Sequence, residues 1–253
     1  MLLLRNILFA VLFYANCVVW FVVACIGYVL PKRYFLSFCR GWAITSNWLF
    51  TTLIGARIVI RGTENIPAEG AIIAAKHQSS WETFALLPLI AAPTYIYKRE
   101  LGYIPFFGWH LMRAGQIPVD RAGTPDVLNR LTLRAKKALA ENRQIIIFPE
   151  GTRKAIGAKP DYKIGVAQLY KSFEAPCVPV ALNAGLAWPR RRFLKHPYTV
   201  ILEFLPAIPP GLPPRAFFRQ LQETIETATS RLVAESLAEK GQSLADIQSS
   251  SES

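Results

Sequence analysis

The sequence predicts a three-layer α/β domain built on a mixed sheet, joined to an apolar helical N-terminal region that anchors it to a membrane. Two observations carry this. Residues 1–56 hold two long uncharged stretches. From Arg57 onward, short runs rich in Ile, Val or Tyr and bounded by Gly or Pro alternate with segments of helical period, the pattern of helices layered on a sheet. The expected organisation is therefore membrane helices over 1–56, an α/β domain over 57–242, and a polar tail over 243–253, disordered by its composition.

Between Ile7 and Leu30 no side chain is charged, and Asn16 is the only strongly polar one. These 24 residues suffice to cross a hydrocarbon core of about 30 Å at ~1.5 Å per residue. A signal peptide fits less well: the run is too long, and Pro31, Lys32 and Arg33 follow it instead of a small-residue cleavage site. A second uncharged stretch of 16 residues, Gly41 to Ala56, lies between Arg40 and Arg57. It is short for an independent crossing, so two arrangements fit: a helical hairpin dipping into one leaflet, or a span followed by an interfacial helix. Lys32, Arg33, Arg40, Arg57 and Arg61 outnumber Arg5. The positive-inside rule thus puts the following domain on the cytoplasmic side of the cell inner membrane.

Strands are expected at 57–61, 71–76, 94–98, 115–119, 144–148, 177–182 and 198–204. The clearest helix is 125–141, where Thr124 can cap the start, Pro125 suits the first position, and Val127, Leu131, Ala135, Ala138 and Leu139 share a face. Its other face carries Arg130, Arg134, Lys136 and Lys137 and reads as solvated, with contact to lipid head groups as the alternative. Further helices are expected at 82–90, 163–173 and 214–238, the last with Phe217, Leu221, Ile225, Ala228 and Leu232 as a core stripe.

The chain of 253 residues has 29 Lys and Arg against 17 Asp and Glu, a net charge of +12. That balance asks for an anionic partner, and the apolar N-terminus selects a membrane surface over nucleic acid. The segment Trp188 to Lys195, with three consecutive arginines, fits a solvated loop, a head-group contact or a nucleic-acid patch; on a tethered chain head groups are the simplest. Cys17, Cys25, Cys39 and Cys177 form no Cys-x-x-Cys pair and read as packing thiols in a reducing compartment. No His-Glu-x-x-His occurs, and His110 and His196 stand in unrelated contexts. Neither a metal nor a cofactor is expected.

Four segments could carry chemistry. His77 and Glu82, five positions apart where a strand turns into a helix, can fold back so that the carboxylate accepts the Nδ1 hydrogen and leaves Nε2 as a base. Phe148-Pro149-Glu150-Gly151-Thr152-Arg153 follows a buried strand and so lies at its carboxyl end, where open α/β sheets bind ligands. Its Gly exposes backbone N–H groups, its Thr adds a hydroxyl, and its Arg offers a fork for phosphate oxygens. Lys98-Arg99-Glu100-Leu101 and Gly115 to Arg121 put cations at two further strand ends.

In that order these segments resemble the lysophosphatidic acid acyltransferase family over roughly residues 70 to 205. His77 and Glu82 match its His-x4-Asp box with Glu in place of Asp, and residues 148–153 match its Phe-Pro-Glu-Gly-Thr-Arg signature. Val178, Pro179 and Val180 match a segment near its last box. The resemblance implies transfer of an acyl group from an acyl thioester, acyl-coenzyme A or acyl-carrier protein, to the 2-hydroxyl of 1-acyl-glycerol 3-phosphate (lysophosphatidic acid). His77 would be the base and Glu82 its orienting partner. Gly151, Thr152 and Arg153 would hold the acceptor phosphate, with Lys98 and Arg121 helping there or at the donor. Glu150 is expected to pair with Arg153 or to accept from the acceptor hydroxyl. A different lyso-lipid acceptor, a thioesterase using water, and a non-catalytic membrane scaffold are the rival readings.

Overall fold

The structure, a computed structural model, describes residues 1–120 and 125–247. Seven strands form one sheet in the order β1-β7-β6-β2-β5-β3-β4: β1 (Arg57–Arg61), β2 (Ile72–Ala75), β3 (Pro93–Lys98), β4 (Ile117–Val119), β5 (Gln144–Ile147), β6 (Cys177–Leu182) and β7 (Thr199–Phe204). The sheet is mixed. β6, β2, β5, β3 and β4 are parallel, while β7 runs antiparallel to β6 and parallel to β1. All seven expected strands are present, each within two or three residues of its expected bounds.

The two-residue period of the central strands sorts their side chains onto two faces. Ile73 and Ala75 of β2, with Ile146 of β5, belong to one apolar cluster, and Ile72 and Ala74 to another on the opposite face. Helices α5 (Pro125–Ala140), α6 (Gly165–Phe173) and α7 (Pro214–Ala238) cover the second face. The expected stripe of α7 is buried: Phe217, Leu221 and Ile225 meet β2 and α6, and Ala228 and Leu232 meet Ala181 and Ile201. Thr124, expected to cap α5, lies outside the described residues.

The first face is covered largely by the N-terminal region. Helices α1 (Leu2–Ile26) and α2 (Lys32–Leu49) and a π-helical turn, Phe50–Ile54, pack on one another, and their buried side chains join the core of this face. Phe9, Phe50 and Ile54 share a core with Ile73, Ile146 and Val180. Residues 1–56 therefore complete a layer of the α/β domain, and they are no loose tether. Asn16, the one polar side chain of the apolar run, explains itself here: it takes the Thr45 hydroxyl at 2.9 Å and donates to Ser46 at 3.0 Å, joining α1 to α2. Asn6, fully buried, accepts from the Lys195 N–H at 2.7 Å and donates to its carbonyl at 3.1 Å. The outer face of α1 is nonetheless exposed and apolar, with Leu4, Val11, Val18 and Val22 among its residues. By length and composition α1 could cross a membrane.

Three details depart from the sequence reading. The helix expected at 82–90 is a single turn, α3 (Glu82–Ala85), followed by irregular turns. Pro88 is the reason, since it lacks an N–H and disfavours helical backbone at Leu87. Residues 99–113, where no helix or strand is expected, fold into a 3₁₀ turn, Arg99–Tyr103, and helix α4 (Phe107–Arg113). Gly108 interrupts the helical signal there because the chain passes too close for a side chain: a Cβ at 108 would lie 2.0 Å from the Gly102 carbonyl oxygen. The polar end, expected to be disordered from 243, carries a helical turn at 244–247 whose Ile247 packs on the core.

Candidate active site

Strands β2, β5 and β3 are neighbours and parallel, so their carboxyl ends open side by side. His77 follows the end of β2 by two residues, Phe148 to Arg153 continues β5, and Lys98 ends β3. Topology alone thus gathers three of the four candidate segments at one edge of the sheet.

The His77 ring is fixed on two sides. Its Nδ1 lies 2.8 Å from Glu82 Oε1, and Phe148 stacks against it with ring centroids 4.2 Å apart at 22°. An ionised carboxylate can only accept, so the hydrogen sits on Nδ1 and Nε2 is the basic nitrogen. Glu82 is itself held: the N–H groups of Gln78 and Ser79 reach the same oxygen at 2.8 and 2.7 Å, and the residue is fully buried. With Glu at this position the loop closes on the carboxylate, and the pairing with His77 forms. Trp81 secures the loop from outside by donating its indole N–H to Asn47 of α2 at 2.8 Å. The N-terminal layer thereby helps to shape the site.

The Phe148 to Arg153 turn docks on the same loop. Lys154 N–H donates to the His77 carbonyl at 2.8 Å, and Arg153 Nη1 donates to Ser80 Oγ at 2.6 Å. Gly151 adopts φ 63°, left-handed backbone that a side chain would strain. Glu150 does not pair with Arg153. It is fully buried, takes Lys76 Nζ at 2.9 Å on one oxygen and the His77 N–H at 3.1 Å on the other. Burial pushes its carboxyl up from the ordinary glutamate value, against the pull of Lys76 and the His77 N–H. A buried acid sitting on a buried cation is a structural pair, so Glu150 holds the start of this turn against the His77 loop.

A cavity of about 860 Å³ starts at His77, Gly151 and Thr152 and runs between the sheet edge and α1. Leu128 and Leu131 of α5, Ile147, and Trp20 and Phe21 of α1 make its walls apolar. Lys98 lines it, paired with Glu100 at 2.9 Å. Arg153 does not line it; its guanidinium stays on Ser80 at the edge. Arg121 lies outside the described residues. An imidazole base at the polar end of a long apolar chamber can remove a hydroxyl proton while a fatty chain lies in the chamber.

A family model described as Acyltransferase matches residues 57–183. The chain is also 35% identical to the 1-acyl-sn-glycerol-3-phosphate acyltransferase of Pseudomonas aeruginosa, across 92% of this chain and 91% of that protein. The chain belongs to the acyltransferase family. A relative of the same name from Saccharomyces cerevisiae is 29% identical over 71% of this chain and 60% of its own length. The crystal structure of the 1-acyl-sn-glycerophosphate (LPA) acyltransferase, PlsC, from Thermotoga maritima shares the fold, with a TM-score of 0.77 and 22% identity across 92% of this chain and 98% of that one.

Four residues in and beside this acyltransferase site escaped the sequence reading: Lys76, Tyr162, Lys163 and Glu226. Lys76 reaches Glu226 Oε1 of α7 at 2.6 Å as well as Glu150, and Tyr162 donates to the same Glu226 oxygen at 2.8 Å. A signal existed: Lys76 continues the face of Ile72 and Ala74, so a charge was due in a buried row. Lys163 lines the cavity mouth, with its Cγ only 3.8 Å from where a Cβ on Gly151 would stand. Nothing in its local sequence marks it, because the fold alone brings the start of α6 beside the β5 turn.

Proposed function

We propose that this acyltransferase moves a fatty acyl group from an acyl thioester to the sn-2 hydroxyl of 1-acyl-glycerol 3-phosphate, giving phosphatidic acid in phospholipid biosynthesis. The observation that carries the reading is the carboxylate-held imidazole of His77 at the polar mouth of the 860 Å³ apolar cavity. The names of the relatives fit the same substrates.

His77 Nε2 takes the proton of the acceptor hydroxyl as its oxygen attacks the thioester carbonyl. Glu82, on the far nitrogen, stabilises the imidazolium that forms. The tetrahedral intermediate then expels the thiolate of the donor, the C–S bond breaks as the ester C–O bond stands, and the imidazolium returns its proton to sulfur. Catalysis needs no cofactor in this scheme; the thioester is a substrate. Gly151 and Thr152, with Arg153 at the edge and Lys98 and Lys163 at the mouth, hold the acceptor phosphate by charge-assisted hydrogen bonds. The donor is acyl-CoA or acyl-carrier protein, and a mouth with two lysines suits the phosphates that both carry. We assign the exposed apolar face of α1 to the lipid, with the catalytic domain facing the cytoplasm from the inner membrane.

The test is transfer of labelled acyl groups by the purified chain in detergent, with each donor type and a panel of acceptors. Phosphatidic acid should form from 1-acyl-glycerol 3-phosphate and much more slowly from 1-acyl-glycerol. Equal rates with and without the phosphate would refute the acceptor. Preference for another lyso-lipid would replace it, and release of free fatty acid without diacyl product would make the protein a thioesterase.

A further inference from the structure

The segment between β3 and β4 presents apolar side chains on both of its sides. Inward, Leu101, Phe107, His110 and Leu111 line the cavity. Outward, Tyr103 is 69% exposed, Phe106 51%, Trp109 52% and Met112 58%, with Ile104 beside them. A short helix bordering water would carry polar groups on its outer side; one that is apolar all round belongs against more protein or in lipid. Exposed clusters of this kind mark interaction surfaces. Phe106 sharpens the point. It sits at φ 62° and ψ −56°, backbone that L side chains avoid, and the ring so held points outward.

Continuity with α1 names the occupant. His110 lies among the rings of Phe21, Tyr28 and Phe35, at centroid distances of 5.5, 5.6 and 5.5 Å. Arg113 donates to the carbonyls of Gly27 and Leu30 at 3.3 and 2.7 Å, satisfying groups left open past the end of α1. Beside this joint Val22, Ile26 and Val29 of the α1 region are exposed. The two apolar surfaces therefore meet edge to edge, and Tyr28, Trp109, Met112 and Arg113 line a shallow groove across the seam. Two rings and a guanidinium side by side suit the boundary between acyl chains and anionic head groups.

We infer that residues 103–112 insert into the same lipid leaflet as α1, their apolar side chains seated among the acyl chains of that leaflet. This rests on the reading of α1 as lipid-facing. The insertion leaves one layer of side chains, those of α4, between the leaflet and the cavity.

Fluorescence quenching by lipid tests it. In the full chain with Cys17→Ala and Cys39→Ala, an environment-sensitive probe is placed on Cys25, which is exposed on α1. In a second chain that also carries Cys25→Ala it is placed at Trp109→Cys, and in a third at Gln220→Cys, an exposed position of α7. Each is reconstituted in phosphatidylcholine and phosphatidylglycerol vesicles with nitroxide-bearing acyl chains. The proposal expects the probes at 25 and 109 to lose comparable emission while that at 220 keeps its own. Loss at 25 with none at 109 would overturn the insertion and leave α1 in the lipid. Loss at neither would remove α1 from the lipid and the insertion with it. Tyr103→Cys repeats the reading from an independent exposed position.

Discussion

One oxygen of Glu82 receives the Nδ1 hydrogen of His77 at 2.8 Å while the N–H groups of Gln78 and Ser79 close on the same atom. The backbone thus aims the carboxylate before the carboxylate aims the ring. Changing Glu82→Gln keeps an oxygen for those donors and removes the charge that supports an imidazolium, so kcat should fall with the fold intact. His77→Ala should cost about 10²–10⁴-fold, the worth of a positioned base, and Glu82→Gln less than that. Glu82→Asp keeps the charge but shortens the arm by ~1.5 Å, and its rate should lie between Gln and the parent. Steady-state kinetics with thermal unfolding as control decides; a melted His77→Ala protein would give the imidazole a folding role.

Lys76 balances two carboxylates, Glu150 at 2.9 Å and Glu226 at 2.6 Å, from a nearly dry position. Breaking a buried pair by removing one member leaves unpaired charge and costs about 3–5 kcal/mol. Lys76→Met should destabilise by that order, and adding Glu150→Gln and Glu226→Gln should recover much of the loss. Denaturant unfolding in detergent measures it. Additive losses from the three changes would contradict a shared network.

Much of this was legible in the sequence, and the failures have physical causes. The strands could be read because Ile146 and its neighbours alternate between two buried faces, and α7 because Phe217 to Leu232 repeats at helical spacing. The His77–Glu82 pair was legible because both ends lie within one turn of chain. Of the two partners expected for Glu150, Arg153 is not one: it is near in sequence, whereas Lys76, the partner found, arrives across the sheet from β2. Helix α4 was hidden because Gly108 answers to a backbone contact with Gly102 and so breaks the local pattern. The burial of α1 side chains such as Phe9 in the core was equally hidden, since an apolar helix reads the same whether protein or lipid covers it.

Arg61 and Glu235 tie β1 to α7 through two hydrogen bonds, at 2.9 and 2.5 Å. The guanidinium holds the Glu235 carboxyl below its ordinary value of 4.5. A depressed acid contributes stability that is full above the unfolded value and drains away as pH falls through the folded one. Both side chains are over a third exposed, so the contribution is at most about 1 kcal/mol. Glu235→Gln should therefore lower the melting temperature slightly at neutral pH, and the gap to the parent should close as pH drops below 4.5. Melting curves across that range are the check, and a gap that widens on acidification would contradict the pairing.

Arg153 stands 2.6 Å from the Ser80 hydroxyl, at the edge of the cavity whose mouth holds Gly151, Thr152 and Lys163. From there it can serve in two ways. As a phosphate ligand it leaves Ser80 and forks onto the acceptor, and its removal forfeits a charge-assisted hydrogen bond of about 1.5–3 kcal/mol. As a staple it merely ties the β5 turn to the His77 loop. The first role predicts that Arg153→Gln raises KM for 1-acyl-glycerol 3-phosphate by roughly ten- to hundredfold, equivalent to that energy, with KM for the donor and the melting temperature unchanged. Arg153→Lys should recover part of the affinity, because the charge returns without the fork. Ser80→Ala should leave acceptor KM unchanged or lower it, since the guanidinium no longer has to leave a partner. The staple role predicts the reverse: Ser80→Ala and Arg153→Gln would lower kcat and stability together while acceptor KM stayed put.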